Sequence, residues 1–178
     1  ELENHLVIIG FGINGTNLAK AAKYAQIPYV ILELNADTVK KEAANGEPII
    51  FGDAVQEHIL ESVQIHKARV VVVAISDPQA TKVIITNIRK ISQLVYVVVR
   101  TRYVKDIDTL LALGADEVIP EEFETSIEIF ARVLQRYGVP RNTIESQIEA
   151  IRRQGYQMLR SPSLPPVKIA NLDAALEA

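Results

Sequence analysis

The chain has 178 residues, a net charge of −3, 48% hydrophobic and 23% charged residues, and no cysteine. That balance builds a sizeable core and excludes bulk attraction to nucleic acid or to an anionic membrane surface. Disulfides, thiol catalysis and cysteine-ligated metals are also excluded, and no apolar run approaches the roughly 18 residues that span a bilayer.

No signal peptide is read at the start. Glu1-Leu2-Glu3-Asn4 leads almost at once into a strand, the start expected of a domain cut from a longer protein. Strand and helix patterns then alternate. His5-Leu6-Val7-Ile8-Ile9 is apolar and β-branched enough for a buried strand. After a glycine-rich run, Leu18 to Tyr24 is predicted helical, and Tyr29 to Glu33 is a second strand. Asp37 to Asn45 reads as a helix stopped by Gly46, and Glu47 to Phe51 as a third strand. Gly52-Asp53-Ala54 is a turn before a short helix, Val55 to Val63.

Arg69 to Ile75 is the most apolar run and is predicted as a central strand. Ser76-Asp77-Pro78 then opens a helix that reaches Ile91. Leu94 to Val99 is a fifth strand ending at Arg100, Tyr103 to Leu113 a helix stopped by Gly114, and Glu117 to Ile119 a short sixth strand. Strands separated by helices imply right-handed crossovers and a parallel sheet covered on both faces. The expected fold is α/β: a Rossmann-like, doubly wound six-stranded sheet in the order 3-2-1-4-5-6.

Beyond the sheet, Phe123, Ile127, Phe130, Leu134 and Tyr137 form an apolar helical stripe. Gly138-Val139-Pro140 breaks the helix, and Ile144, Ile148, Ile151 and Met158 or Leu159 mark a second, more exposed stripe. A second copy of the chain is the simplest cover for both, so a homodimer joined through a helical arm is expected. The alternative is that both helices fold back on their own sheet. The domain reading is a nucleotide-binding domain over 1–138, a helical arm over 139–160 and a Pro-containing linker or tail over 161–178.

The glycine-rich run carries the functional expectation. Gly10, Gly12 and Gly15 fit G-x-G-x-x-G between a strand and a helix. The first glycine permits the tight turn, the second lets a phosphate approach the backbone, and the third lets helix and strand pack closely. The phosphate would sit at the positive end of the helix dipole. Glu33 closes the second strand 18 residues past Gly15, where a carboxylate accepts hydrogen bonds from ribose hydroxyls. A carboxylate suits a free 2′-hydroxyl and repels a 2′-phosphate, which favours NAD(H) or AMP over NADP(H).

Three further strand ends border the same switch point. Asp53 reaches the adenine amino group or caps its helix. Ser76 touches ribose or phosphate, or caps. Arg100 neutralises a phosphate or forms a surface salt bridge. The scattered His5, His58 and His66 are expected to have no functional role. The acidic group Asp116, Glu117, Glu121, Glu122 and Glu124 reads as a solvated helix start rather than a cation site. No Ser/His/Asp set and no general acid or base for hydride transfer is apparent. The chain after the sixth strand is short for a substrate domain. A small NAD-dependent oxidoreductase and an oligomerisation module with an empty pocket are the alternative functions.

The stretch Val7 to Ala19 resembles the cytosolic regulatory domain of potassium transport systems, called RCK, KTN or the TrkA N-terminal domain. Ile27 to Asn35, Gly52-Asp53-Ala54, Val72 to Asp77, Val98 to Tyr103 and Gly114 to Glu124 narrow the resemblance to the tail of Kef-type monovalent cation:proton antiporters. It implies a domain on the cytoplasmic face of the cell membrane, fused behind a transmembrane antiporter. It also implies dimerisation through the helical arm, no catalysis, and an adenine nucleotide, NAD(H) or AMP, that biases the dimer and so gates transport. Nucleic acid is not among the implied partners.

Carried over by position, Gly10, Gly12, Asn14 and Gly15 would form the phosphate loop, with Phe11 and Ile13 between them. Glu33 would hold ribose beside Leu34 and Asn35, and Asp53 with Ala54 would meet adenine after Gly52. Ser76 would line the floor beside Ile75, and Arg100 would face phosphate. Relatives often carry an arginine in or after the glycine loop, where this chain has Ile13, Asn14 and Thr16. The loop is therefore less positive and leaves room for a monophosphate such as AMP.

Overall fold

A computed structural model describes residues 2–160. Six strands, β1 (Leu6–Ile9), β2 (Tyr29–Glu33), β3 (Ile49–Phe51), β4 (Val70–Val73), β5 (Tyr96–Thr101) and β6 (Glu117–Pro120), form one sheet in the order β3-β2-β1-β4-β5-β6. The helices are α1 (Ile13–Tyr24), α2 (Ala36–Ala44), α3 (Glu57–Ser62), α4 (Pro78–Ile91), α5 (Ile107–Ala112), α6 (Glu121–Arg136), α7 (Arg141–Arg153) and α8 (Gln157–Arg160). The ladders β1–β2, β1–β4, β2–β3 and β4–β5 are all parallel, with Ile8 of β1 level with Ile31 of β2 and Val72 of β4. The fold and strand order are those expected from the sequence.

Every residue of β1 is buried, as a central strand covered on both faces requires. Leu6 and Ile8 pack with Ala19 and Ala22 of α1, Ile31 of β2 and Ile49 of β3. Several boundaries differ from the sequence reading. Helix α1 begins at Ile13 rather than Leu18, because Gly12 is its extended N-cap and the second half of the glycine run is already its first turn. Strand β4 stops at Val73: the Ala74 N–H still donates to the Ile9 carbonyl at 2.8 Å, and the chain then turns away. The helix expected from Tyr103 is a 3₁₀ turn, Val104–Asp106, followed by the shorter α5.

The chain divides into two compact units, one ending at Ile119 and one beginning at Pro120. Helix α6 falls in the second unit together with α7. Within the second unit, Ala131 and Leu134 of α6 pack with Val139 and with Ile144 of α7. The second stripe is consequently less exposed than expected, since Ile144 and Ile151 are both buried. The first stripe splits. Ile127 and Leu134 are buried, but Phe130 and Tyr137 lie exposed with Ile129 and Val133. The linker expected from Ser161 falls outside the described residues.

Candidate functional site

The carboxyl ends of β1, β2, β3 and β4 meet along one edge of the sheet, and most of the expected site residues lie there. Gly10 leaves β1 with φ +97°, a conformation costly for any residue with a Cβ. A Cβ on it would also stand 2.8 Å from Ile75 Cγ2. Gly15, buried in α1, comes closer still: a Cβ there would lie 1.9 Å from the Gly10 carbonyl oxygen. Gly12 differs from both, with nothing within 4 Å of its would-be Cβ. It is the open position of the three, and no side chain caps the N-terminus of α1. An uncapped helix start over an open glycine is the geometry that receives an oxyanion.

Glu33 turns toward this loop. Its Oε2 accepts from the Phe11 N–H at 2.7 Å, and its Oε1 accepts from the Asn35 N–H at 2.7 Å. Two backbone donors thus fix the carboxylate at the rim of the crevice. Each carboxylate oxygen has two lone pairs, so each still has an acceptor site for a hydroxyl. Asn35 caps α2 by accepting from the Thr38 N–H at 2.9 Å. Leu34 and Ile13 are exposed, at 62% and 83%.

The Gly52 N–H donates to the Glu33 carbonyl at 3.0 Å, which brings the turn after β3 beside β2. Asp53 Oδ1 accepts from the Val55 N–H at 3.0 Å within the turn, so the alternative weighed from the sequence, a helix cap, is not present: the N-cap of α3 is Gln56, and no side chain caps it. Ala54 behind it is buried. At the end of β4, Asp77 caps α4 by accepting from the Gln79 and Ala80 N–H groups. The cap expected of Ser76 is therefore filled by its neighbour. Ser76 instead receives Arg100, whose Nη1 donates to the Ser76 hydroxyl at 3.2 Å and to the Ile75 carbonyl at 3.1 Å. Arg100 reaches across from β5 to the end of β4. Asn14 lies exposed in the first turn of α1.

His5 is fully buried, and its Nε2 hydrogen-bonds the Val63 carbonyl at 2.9 Å, a fold contact at the far end of β1. The acidic group disperses. Asp116 pairs with Arg89 at 2.6 Å, and Glu124 pairs with Arg152 at 2.5 Å. Sequence reasoning missed the grip of the Phe11 amide on Glu33, because backbone donors leave no mark in a residue pattern. Lys82 and Arg102 border Ser76 and Arg100 in a separate, shallow cleft.

The family model of the TrkA-N domain matches residues 6–121. The chain belongs to the TrkA-N domain family. This TrkA-N domain is 32% identical over 159 residues to a putative K(+) efflux antiporter KefB of Alkalimonas amylolytica, a match covering 89% of the chain and 24% of that protein. The chain therefore spans about a quarter of that relative's length. Among solved structures it resembles the AMP-bound Kef C-terminal domain of Shewanella denitrificans (TM-score 0.70, 18% identity, 88% of this chain and 98% of that one). It also resembles the GsuK channel bound to NAD (TM-score 0.65, 18% identity, 75% of this chain and 23% of that one). At these identities the two structures speak to the fold, which the TrkA-N domain shares. Among the described residues no helix is long and apolar enough to cross a membrane.

Proposed function

We propose that this TrkA-N domain is the regulatory domain of a potassium:proton antiporter, working at the cytoplasmic face of the membrane and without catalysis. It would bind an adenine nucleotide, AMP or NAD(H), in the crevice between the glycine loop and Glu33. The observation that carries this reading is the carboxylate of Glu33 held 2.7 Å from the Phe11 amide, beside an open Gly12 and an uncapped helix start. The phosphate would take the amides at the start of α1, Glu33 the ribose hydroxyls, and the Asp53–Ala54 turn the adenine. Relatives that are potassium efflux antiporters, and neighbours solved with AMP and with NAD, support the same reading.

A charge-assisted hydrogen bond is worth roughly 1.5–3 kcal/mol. Glu33→Ala is therefore expected to weaken AMP and NADH at least tenfold in calorimetry while the chain stays folded by circular dichroism. Unchanged affinity in a folded variant would remove the ribose assignment. The transmitting element would be a homodimer formed through α6, whose exposed Ile129, Phe130, Val133 and Tyr137 support it. Nucleotide binding would bias that dimer and so the transporter.

A further inference from the structure

The β1–β4 ladder stops just where the glycine loop leans on it. Its last pair is Ile9 with Val73, and the Ala74 N–H adds one bond to the Ile9 carbonyl at 2.8 Å. The β4–β5 register likewise ends at Val73 with Val99. Ile75 and Ser76 then follow before Asp77 caps α4. This short stretch is the wall behind Gly10. A Cβ on Gly10 would lie 2.8 Å from Ile75 Cγ2, and 3.4 Å from both the Ala74 carbonyl carbon and the Ile75 nitrogen. The tight turn at Gly10 therefore rests on chain that lies past the end of the ladder.

A side chain of β5 takes over there. Arg100 stands half-buried between the buried Val99 and Thr101. Its Nη1 donates to the Ile75 carbonyl at 3.1 Å and to the Ser76 hydroxyl at 3.2 Å. One guanidinium nitrogen thus fastens two successive residues of the wall to the neighbouring strand. Hydrogen bonds from a charged donor are roughly twice as strong as neutral ones, so the tie is a firm one. We propose that Arg100 is a positioning residue of the nucleotide site: it fixes Ile75, Ile75 backs Gly10, and Gly10 sets the loop whose Phe11 amide meets Glu33 at 2.7 Å. Its consequence for binding rests on the nucleotide reading given above, whereas the tie itself is present without ligand. A counter-charge would act on the phosphate alone. A tie that shapes the loop acts on sugar and phosphate alike.

Two measurements on the full chain test this role. Amide hydrogen exchange followed by NMR, without ligand, reads the tie by itself. Arg100→Ala and Ile75→Ala are each expected to speed exchange at the Gly10 and Phe11 amides at least fivefold. The double variant should add less than twofold to the faster single one, because both act through one contact. The Thr38 amide, at the start of α2, should change less than twofold in all of them. Calorimetry then compares AMP with adenosine. Arg100→Ala is expected to weaken both at least fivefold, with the ratio of the two affinities within twofold of the wild type. Should Arg100→Ala fail to fold by circular dichroism, Arg100→Lys serves in its place, since it keeps the charge and loses the planar fork; faster exchange at Gly10 and Phe11 is again expected. Unchanged exchange at both amides in a folded variant overturns the proposal. So does a loss of AMP affinity that spares adenosine, which would make Arg100 a phosphate ligand and leave the Glu33 site standing. A wild type that binds neither AMP nor adenosine would instead remove the nucleotide reading, and this role of Arg100 with it.

Discussion

At the scale of single residues, the three glycines of one motif have three different physical duties. Gly15 has no room: a Cβ would meet backbone atoms of Gly10 at 1.9 and 2.9 Å, and backbone cannot step aside as a flexible side chain can. Gly15→Ala is expected to cost roughly 3 kcal/mol in chemical denaturation, or to prevent folding, through forced separation of α1 from β1. Gly12 has open space and an ordinary extended conformation, φ −73° and ψ −161°. Gly12→Ala is therefore expected to cost under about 1 kcal/mol of stability, the scale of a changed helix cap. It should still weaken AMP tenfold or more, because the methyl stands where a phosphate would approach. Equal stability losses for the two variants would show that the motif serves packing alone. Glu33 shows the same separation of roles, since its carboxylate ties two backbone amides whether or not a ribose is present.

At the scale of elements, the sheet edge is secured by a residue with no functional signature in the sequence. Arg89, near the end of α4, donates through Nε to the Gly114 carbonyl at 2.6 Å and through Nη1 to the Val95 carbonyl at 2.7 Å. Its Nη2 donates to Asp116 Oδ2 at 2.6 Å, and that oxygen also accepts from the Val97 N–H. One guanidinium thus joins α4, the entry to β5 and the approach to β6. Arg89→Ala is expected to lower stability by at least about 2 kcal/mol in denaturant, since it strips a charged donor from several partly buried acceptors at once. Loss of under 0.5 kcal/mol, the usual range for a surface change, would refute that role. In the second unit, Glu124 accepts from Arg152 and from the Tyr156 hydroxyl, and the Arg152 guanidinium foremost holds its carboxyl below the ordinary 4.5, against an opposing push from burial. A carboxyl with a lowered folded value contributes stability above its unfolded value and loses it as pH falls through the folded one. Thermal melts should therefore show a drop below about pH 4.5 that Glu124→Gln lacks; identical acid profiles would contradict it. The order of strands was readable because hydrophobic runs, glycine stops and the βαβ handedness rule are local or general. The tie made by Arg89 was not, because it joins parts of the chain remote in sequence through carbonyl oxygens that every residue possesses. The buried side of α7 was missed for a related reason: Ile144 and Ile151 give a stripe, but only the packing partner decides whether that stripe is covered.

At the scale of the whole molecule, the proposed regulation requires binding energy at the glycine loop to reach another chain. Helix α6 leaves Ile129, Phe130, Val133 and Tyr137 between 44% and 59% exposed, a row of large apolar groups beside Arg132 and Arg136. Burying one such side chain contributes roughly 1.5–3 kcal/mol, so placing a charge in the row should be decisive if a second copy covers it. Val133→Glu is expected to weaken self-association at least tenfold in light scattering coupled to size exclusion, with the melting temperature of the monomer little changed. A dimer that survives the substitution would place the interface elsewhere. The same variant tests transmission. A ligand shifts an assembly only by the difference between its affinities for the two states, and that coupling is reciprocal. Whatever factor AMP imposes on the dimer constant must reappear as the ratio of AMP affinities in monomer and dimer, adjusted for the number of sites. If wild-type dimer and Val133→Glu monomer bind AMP equally well, association cannot carry the signal, and any gating would have to run through a rearrangement within an intact dimer.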